Sequence, residues 1–312
     1  MLPGIATRIA LAMPGATARQ ANATAGLDSS LPSTVGDGLA YALALLRSRF
    51  EGNGEAEDDM AYHRADHTAG VIRRTGDLLR AMGTGDREYQ LGLLAAAFHD
   101  TVQGWASAAT PDGKVLRRRF SGRNEIDSAA EAVAWMRQAD GAFGEPDFDL
   151  VTWAILATIP AWDAANGTVS QPLLTADAPA TVRAVALADL GIAGMDGEAF
   201  LATGDQLFRE ENLDIGRALR RCTRRADLGA ATLEGYKQRM LAWSRSQPDF
   251  ARGRRARLGQ ELGDPNGPAA GAVRALFGGF EAAIGAAEEA VGARELLPPW
   301  GVARAMGYPI PR

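Results

Sequence analysis

From Asp37 onward, Leu39, Leu43, Leu46 and Phe50 recur at intervals of four, three and four residues, the spacing of one α-helix face, and the core is expected to begin there. Glu51-Gly-Asn-Gly-Glu55 reads as a loop. Asp58 or Asp59 can then cap a second helix, because a carboxylate there accepts from the free N–H groups of the first turn. Along that helix Met60, His63, His67, Val71, Leu78 and Met82 follow one stripe, so both histidines are expected on its apolar face. Gly83-Thr84-Gly85 ends it. The largely apolar run Tyr89–Phe98 predicts a buried helix that delivers His99 and Asp100 at its C-terminal end.

The stretch from Gly104 to Asn124 predicts a loop, with Pro111-Asp112-Gly113 as a turn, followed by the basic residues Lys114, Arg117, Arg118, Arg119 and Arg123. Ser128-Ala-Ala-Glu131 has the form of a capping box and predicts a helix start, with Val133 and Met136 beyond it. Gly141 to Pro146 break the chain before an apolar helix from Leu150 to Ile159, closed by Pro160. Asp177 and Pro179 open the next, in which Val182, Val185, Ala186, Leu187 and Leu190 surround Asp189. Further helices are predicted over 197–212, 231–246 and 250–262. Gly263-Asp-Pro-Asn-Gly-Pro268 reads as a linker, and Val273, Leu276, Phe280, Ile284, Ala287 and Val291 form one amphipathic stripe, expected to dock on the body. No long alternating pattern and no internal repeat appears, so the predicted fold is all-α: a helical bundle with a C-terminal helical extension.

Composition narrows the setting. At 312 residues the chain has room for one generous domain or two small ones. The expected division is a weakly ordered tail over 1–35, a main domain over 36–262, and the linker with its helix over 263–312. The formal charge of -5 disfavours a nucleic-acid or anionic-membrane partner, which would call for a basic excess. A single cysteine, Cys222, excludes an intrachain disulfide, a CxxC motif and a thiolate zinc cage, and fits a reducing, cytoplasmic location. No apolar run approaches the ~18 residues that span a bilayer, and Ile9–Met13 is too short for a secretory apolar segment. The sequence leaves the oligomeric state open.

The chemistry concentrates in two segments. All three histidines lie in Tyr62-His63-Arg64-Ala65-Asp66-His67 and Ala97-Phe98-His99-Asp100. On a helix His63 and His67 lie on one face within reach of a common point, and near a helix end His99 and Asp100 can converge on a shared ion. Asp189, inside an apolar helix, needs a cation, a basic partner or a proton, since a bare buried carboxylate costs several kcal/mol. One divalent ion held by imidazoles and carboxylates meets all of these demands; Mn, Fe, Co, Ni, Zn and Mg are not distinguished. Glu125 is a candidate to orient water or a ligand, or else part of the next helix's start. Arg117, Arg118, Arg119 and Arg123 are candidates to hold phosphate, or else a solvated loop. Arg220, Arg221, Arg224 and Arg225 read as an exposed face.

The order His67, His99-Asp100, Asp189 resembles the H…HD…D signature of the HD superfamily of all-α, metal-dependent phosphohydrolases. Tyr62-His63-x-x-x-His67 is similar to the opening shared by cyclic-nucleotide phosphodiesterases and a bacterial group of HD phosphohydrolases. Asn124-Glu125 with Ser128-Ala129, Ala188-Asp189-Leu190-Gly191 and Arg255–Leu262 are similar to segments of that bacterial group in the same order. The resemblance covers roughly residues 38–262. It implies that His67, His99, Asp100 and Asp189 hold the metal, that Asp100 serves the reaction as well, and that His63 occupies the place of the general acid; a fifth ligand, or a residue that holds a carboxylate, are its other possible roles. The implied activity is cleavage of a phosphomonoester or phosphodiester, of a nucleotide or other small phosphorylated metabolite, by a metal-activated water. An HD-type iron oxidase or oxygenase, or a metal- or ligand-sensing domain without turnover, are the alternatives. The chain departs from the family where Ala157-Thr158 is followed by no histidine, which favours one ion, with a second held by Asp100 and waters as the other option. His99-Asp100 also lacks the acidic pair that follows it in guanosine-tetraphosphate hydrolases.

Overall fold

The computed structural model describes residues 33–51, 60–175, 177–262 and 270–311. Helices α1 (Ser33–Phe50), α2 (Ala65–Met82) and α3 (Asp86–Phe98) come first; a hairpin of β1 (Trp105–Ala109) and β2 (Val115–Arg119) follows, then α4 (Arg123–Arg137) and α5 (Glu145–Leu156). A smaller hairpin, β3 (Ala161–Asp163) with β4 (Thr168–Ser170), leads into α6 (Ala180–Asp189), α7 (Ile192–Met195), α8 (Gly197–Glu211) and α9 (Leu213–Arg221). The long α10 (Ala230–Glu261) precedes α11 (Ala270–Leu276), α12 (Phe280–Glu295) and α13 (Pro299–Ala305). The fold is all-α, as expected, with two antiparallel two-stranded hairpins as its only sheets among the described residues.

The organising element is α3. Every residue from Leu91 to Phe98 is buried, because the helix is apolar on all sides and is wrapped by α1, α2, α4, α5 and α6. At Gly92 a Cβ would stand 2.5 Å from Leu79 Cδ1, so the missing side chain lets α2 and α3 approach closely. The α6 face of Val182, Val185 and Ala186 packs on both. These three helices share one large core, to which Val273, Phe277, Phe280 and Ile284 also contribute. A second, smaller core joins Phe208, Ile215, Leu219, Leu233, Met240 and Leu241 to Val302 and Met306 of the C-terminal segment. No helix among the described residues is long and apolar enough to cross a membrane.

Several expected boundaries are corrected. Helix α2 begins at Ala65, so Met60 and His63 precede it instead of extending its stripe; the proposed caps Asp58 and Asp59 lie outside the described residues, as do residues 1–32 and the linker over 263–269. The stretch 104–124 is a hairpin around the expected Pro111-Asp112-Gly113 turn, in register Trp105↔Arg119 and Ala109↔Val115. Helix α4 starts at Arg123, five residues before Ser128, because Glu125 supplies the cap: its Oε2 accepts from the Gly122 N–H at 2.5 Å. The segments 231–246 and 250–262 are one 32-residue helix that runs through Pro248. Packing along α12 and α13 holds both halves in line and overrides the local cost of the proline. The C-terminal stripe is divided instead into α11 and α12. At the break the Gly279 N–H donates to Gly194 O at 2.7 Å, and a Cβ on Gly279 would meet that same oxygen at 2.8 Å.

Candidate metal centre

Three helix ends converge. His67 lies in the first turn of α2, His99 caps the C-terminus of α3 with Asp100 just beyond, and Asp189 is the last residue of α6. Because α2, α3 and α6 pack against one another, their ends bring these side chains together. Asp100 Oδ2 is 3.4 Å from His67 Nε2 and 3.1 Å from His99 Nε2; Asp189 Oδ1 is 3.4 and 3.6 Å from the same two atoms. Most of these separations are long for hydrogen bonds. They match donors sharing an ion, since two ligands about 2.0–2.2 Å from one metal and roughly 90–110° apart stand about 2.8–3.6 Å from each other.

The surroundings fit an ion as well. Both Nε2 atoms are buried without a hydrogen-bond partner. His99 Nδ1 donates to Ala96 O at 2.8 Å, which fixes the tautomer that leaves Nε2 with a lone pair facing the carboxylates. Each carboxylate turns one oxygen to the imidazoles and gives the other to an amide: Gln103 Nε2 donates to Asp100 Oδ1 at 2.7 Å, and Gln171 Nε2 donates to Asp189 Oδ2 at 3.2 Å. Burial pushes the Asp100 and Asp189 carboxyls up, but the histidines beside them hold both well below the usual range. Burial opposes a charge on His99, yet Asp100 and Asp189 raise its pKa well above the ordinary value. The site therefore attracts positive charge. His67, His99 and Asp189 place donor atoms within 4.8 Å of one another and could hold a metal ion, with Asp100 beside them.

His63 stands apart, in the irregular segment before α2. Its peptide N–H and those of Ala61 and Tyr62 all donate to Glu210 Oε2, at 3.0, 3.0 and 2.8 Å, and its Nδ1 lies 2.5 Å from Glu210 Oε1. This replaces the expected helical placement: one buried carboxylate organises three successive backbone amides and one imidazole. Burial alone would raise the Glu210 pKa, but the His63 charge and these hydrogen bonds bring it down to about 2. The ring of Tyr62 lies between, 4.6 Å from that of His63 and 4.4 Å from that of His67. Burial, then the Asp189 and Asp100 charges, push its hydroxyl far up, so it stays protonated.

His63, Asp100 and Asp189 line a cavity of about 230 Å³. Of the four arginine candidates, only Arg119 lines it, with Nη2 3.6 Å from Asp100 Oδ1 and Nε donating to Gln103 Oε1 at 2.8 Å. Arg117 shares the strand face of Arg119 but is taken up elsewhere, buried 4.2 Å from the ring centre of Trp105 and bonded to Glu210 O; Arg118, on the alternate face, is exposed, and Arg123 is exposed and paired with Asp127. Glu125 lines the cavity while its Oε2 caps α4, so it belongs to the helix start and to the site wall at once. Glu210, Gln103, Gln171 and Glu211 went unrecognised in the sequence. In the structure burial, with the neighbouring Glu210, pushes Glu211 up to about 7 in the cavity wall.

Comparison with known proteins finds no matching family model, no matching curated protein and no matching solved structure.

Proposed function

We propose that this chain is a metal-dependent phosphohydrolase of the HD type, in which His67, His99, Asp100 and Asp189 hold one divalent ion. The observation that carries the reading is the pair of buried, unpartnered Nε2 atoms facing two carboxylates, next to a separate histidine already engaged by a buried glutamate. Bound there, a divalent ion supplies a water of lowered pKa and offsets charge on a phosphoryl oxygen. In hydrolysis a water oxygen bonds to phosphorus as the ester P–O bond breaks, and the departing oxygen takes a proton. His63 supplies that proton: Glu210 fixes its Nδ1, leaving Nε2 to donate on the cavity side. Arg119, held by Gln103, offers its guanidinium to a phosphoryl oxygen. Asp100 and Asp189 are kept ionised as ligands by their neighbours, and Gln103 and Gln171 keep their orientation. The residue order shared with HD phosphohydrolases supports the same reading.

The test is a screen of stripped protein reloaded singly with Mn, Fe, Co, Ni, Zn or Mg against nucleotides and generic phosphate esters. Turnover with at least one metal is expected. Stoichiometric metal binding without hydrolysis of any ester would overturn the reading, and an oxygen-dependent spectral change on iron loading would favour the oxidase alternative.

A further inference from the structure

The cavity combines two chemistries. Its lining joins the polar groups of His63, Asp100 and Asp189 to the apolar side chains of Leu190, Ile192, Phe200, Leu207, Trp243 and Phe250, with Thr158, Thr203 and Gln247 as neutral polar groups. Phe200 and Phe250 stack there at 6.2 Å between ring centres. Leu207 is half-buried on α8 and belongs to neither hydrophobic core, so its side chain is free to serve the cavity. Charge is one-sided: Arg119 and His63 are the basic side chains in the lining, against Asp100, Asp189, Glu125 and Glu211. A volume of about 230 Å³ is small beside ordinary ligand pockets of roughly 300–1,000 Å³.

We infer that the substrate is a small phosphate ester whose leaving group is uncharged and mainly apolar, seated against Leu207, Phe200 and Phe250 while the phosphate lies by the polar groups. The inference rests on the phosphohydrolase reading and narrows it. A second anionic group would meet Asp100, Asp189 and Glu125 and no further cation, since Arg119 and His63 serve the phosphate, and the neutral Thr203, Gln247 and Trp243 side chains do not offset its charge, which is costly. An apolar group instead gains from leaving water, in proportion to the area it buries. Glu211, raised to about 7, carries its negative charge only in part near neutrality and leaves that wall less negative than its sequence implies.

The experiment measures binding of methylphosphonate, benzylphosphonate and 4-carboxybenzylphosphonate to the full-length, metal-loaded protein by calorimetry. Benzylphosphonate is expected to bind at least tenfold more tightly than methylphosphonate, and the carboxylated ring at least fivefold more weakly than the plain one. Leu207→Asn, outside both cores, is expected to reduce the benzyl-to-methyl ratio to threefold or less while leaving methylphosphonate within twofold. Equal binding of the methyl and benzyl compounds, or no loss from the added carboxylate, overturns this inference and leaves the phosphohydrolase reading standing. Failure of metal-loaded protein to bind any of the three overturns both.

Discussion

His63 and His67 are four residues apart in the chain and 6.1 Å apart between ring centres, yet they are held in opposite ways. His67 sits in a helix, in a cluster drawn from the ends of α2, α3 and α6, with its Nε2 buried and unpartnered. His63 sits off the helix, and its Nδ1 and peptide N–H are both taken by Glu210. An orphaned ring nitrogen facing two carboxylates is set up to receive a cation. A ring nitrogen already bound by a carboxylate leaves the other nitrogen to carry a proton. Under the proposed reading, this difference in hydrogen-bond partners sets a candidate ligand apart from a candidate acid.

The largest effect that bears on this contrast is expected from the cluster. His67→Ala and Asp189→Asn should each cut bound metal from about one equivalent to near zero, read by elemental analysis after dialysis, because a site missing one of its donors loses most of its binding energy. Metal content unchanged in either variant would break the assignment. His63→Asn should instead keep its metal and lose roughly 10²–10⁴-fold in kcat, the usual worth of a positioned general acid. If its metal content falls with its activity, the two histidines are equivalent and the contrast disappears.

Glu210→Gln should act more mildly on rate, lowering kcat about 10–100-fold by freeing the His63 ring. It should also destabilise the fold. With its folded pKa at about 2, below the ordinary 4.5, the Glu210 carboxylate contributes stability above pH 4.5 that is lost as pH falls through 2. The stability gap between wild type and variant, followed by denaturant titration, should therefore be widest above pH 4.5 and narrow toward pH 2. The smallest effect belongs to the adjacent Glu211. Its folded pKa of about 7 lies above 4.5, so metal-free wild type loses stability as pH rises from 4.5 through 7. Glu211→Gln should remove that loss, making the variant more stable above pH 7 and no different below pH 4.5. A gain that is independent of pH would contradict the burial of this acid.

Much of the helical frame was readable from local pattern. Leu39, Leu43 and Leu46 on one face, the apolar run to Phe98, and Asp189 among valines and leucines each encode burial within a few residues of themselves. His67, His99, Asp100 and Asp189 were candidates from their setting on apolar helices, which an ion explains, but so was His63, and only the resemblance set it apart. Features that depend on distant partners were not readable. His63 leaves the helix because a carboxylate 147 positions away binds its backbone. Arg117 turns inward because Trp105, across the hairpin, accepts it, while Arg119 on the same strand faces the site. Pro248 fails to break α10 because helices that follow it in the chain hold both halves.

The most direct measurement is anomalous diffraction from crystals grown with Mn. The expected result is one peak about 2.0–2.4 Å from His67 Nε2, His99 Nε2, Asp100 Oδ2 and Asp189 Oδ1, with His63 Nδ1 still on Glu210 and its Nε2 outside the coordination sphere. A peak ligated by His63, or full metal content with the ion bound away from these four donors, would contradict the division between ligand and acid.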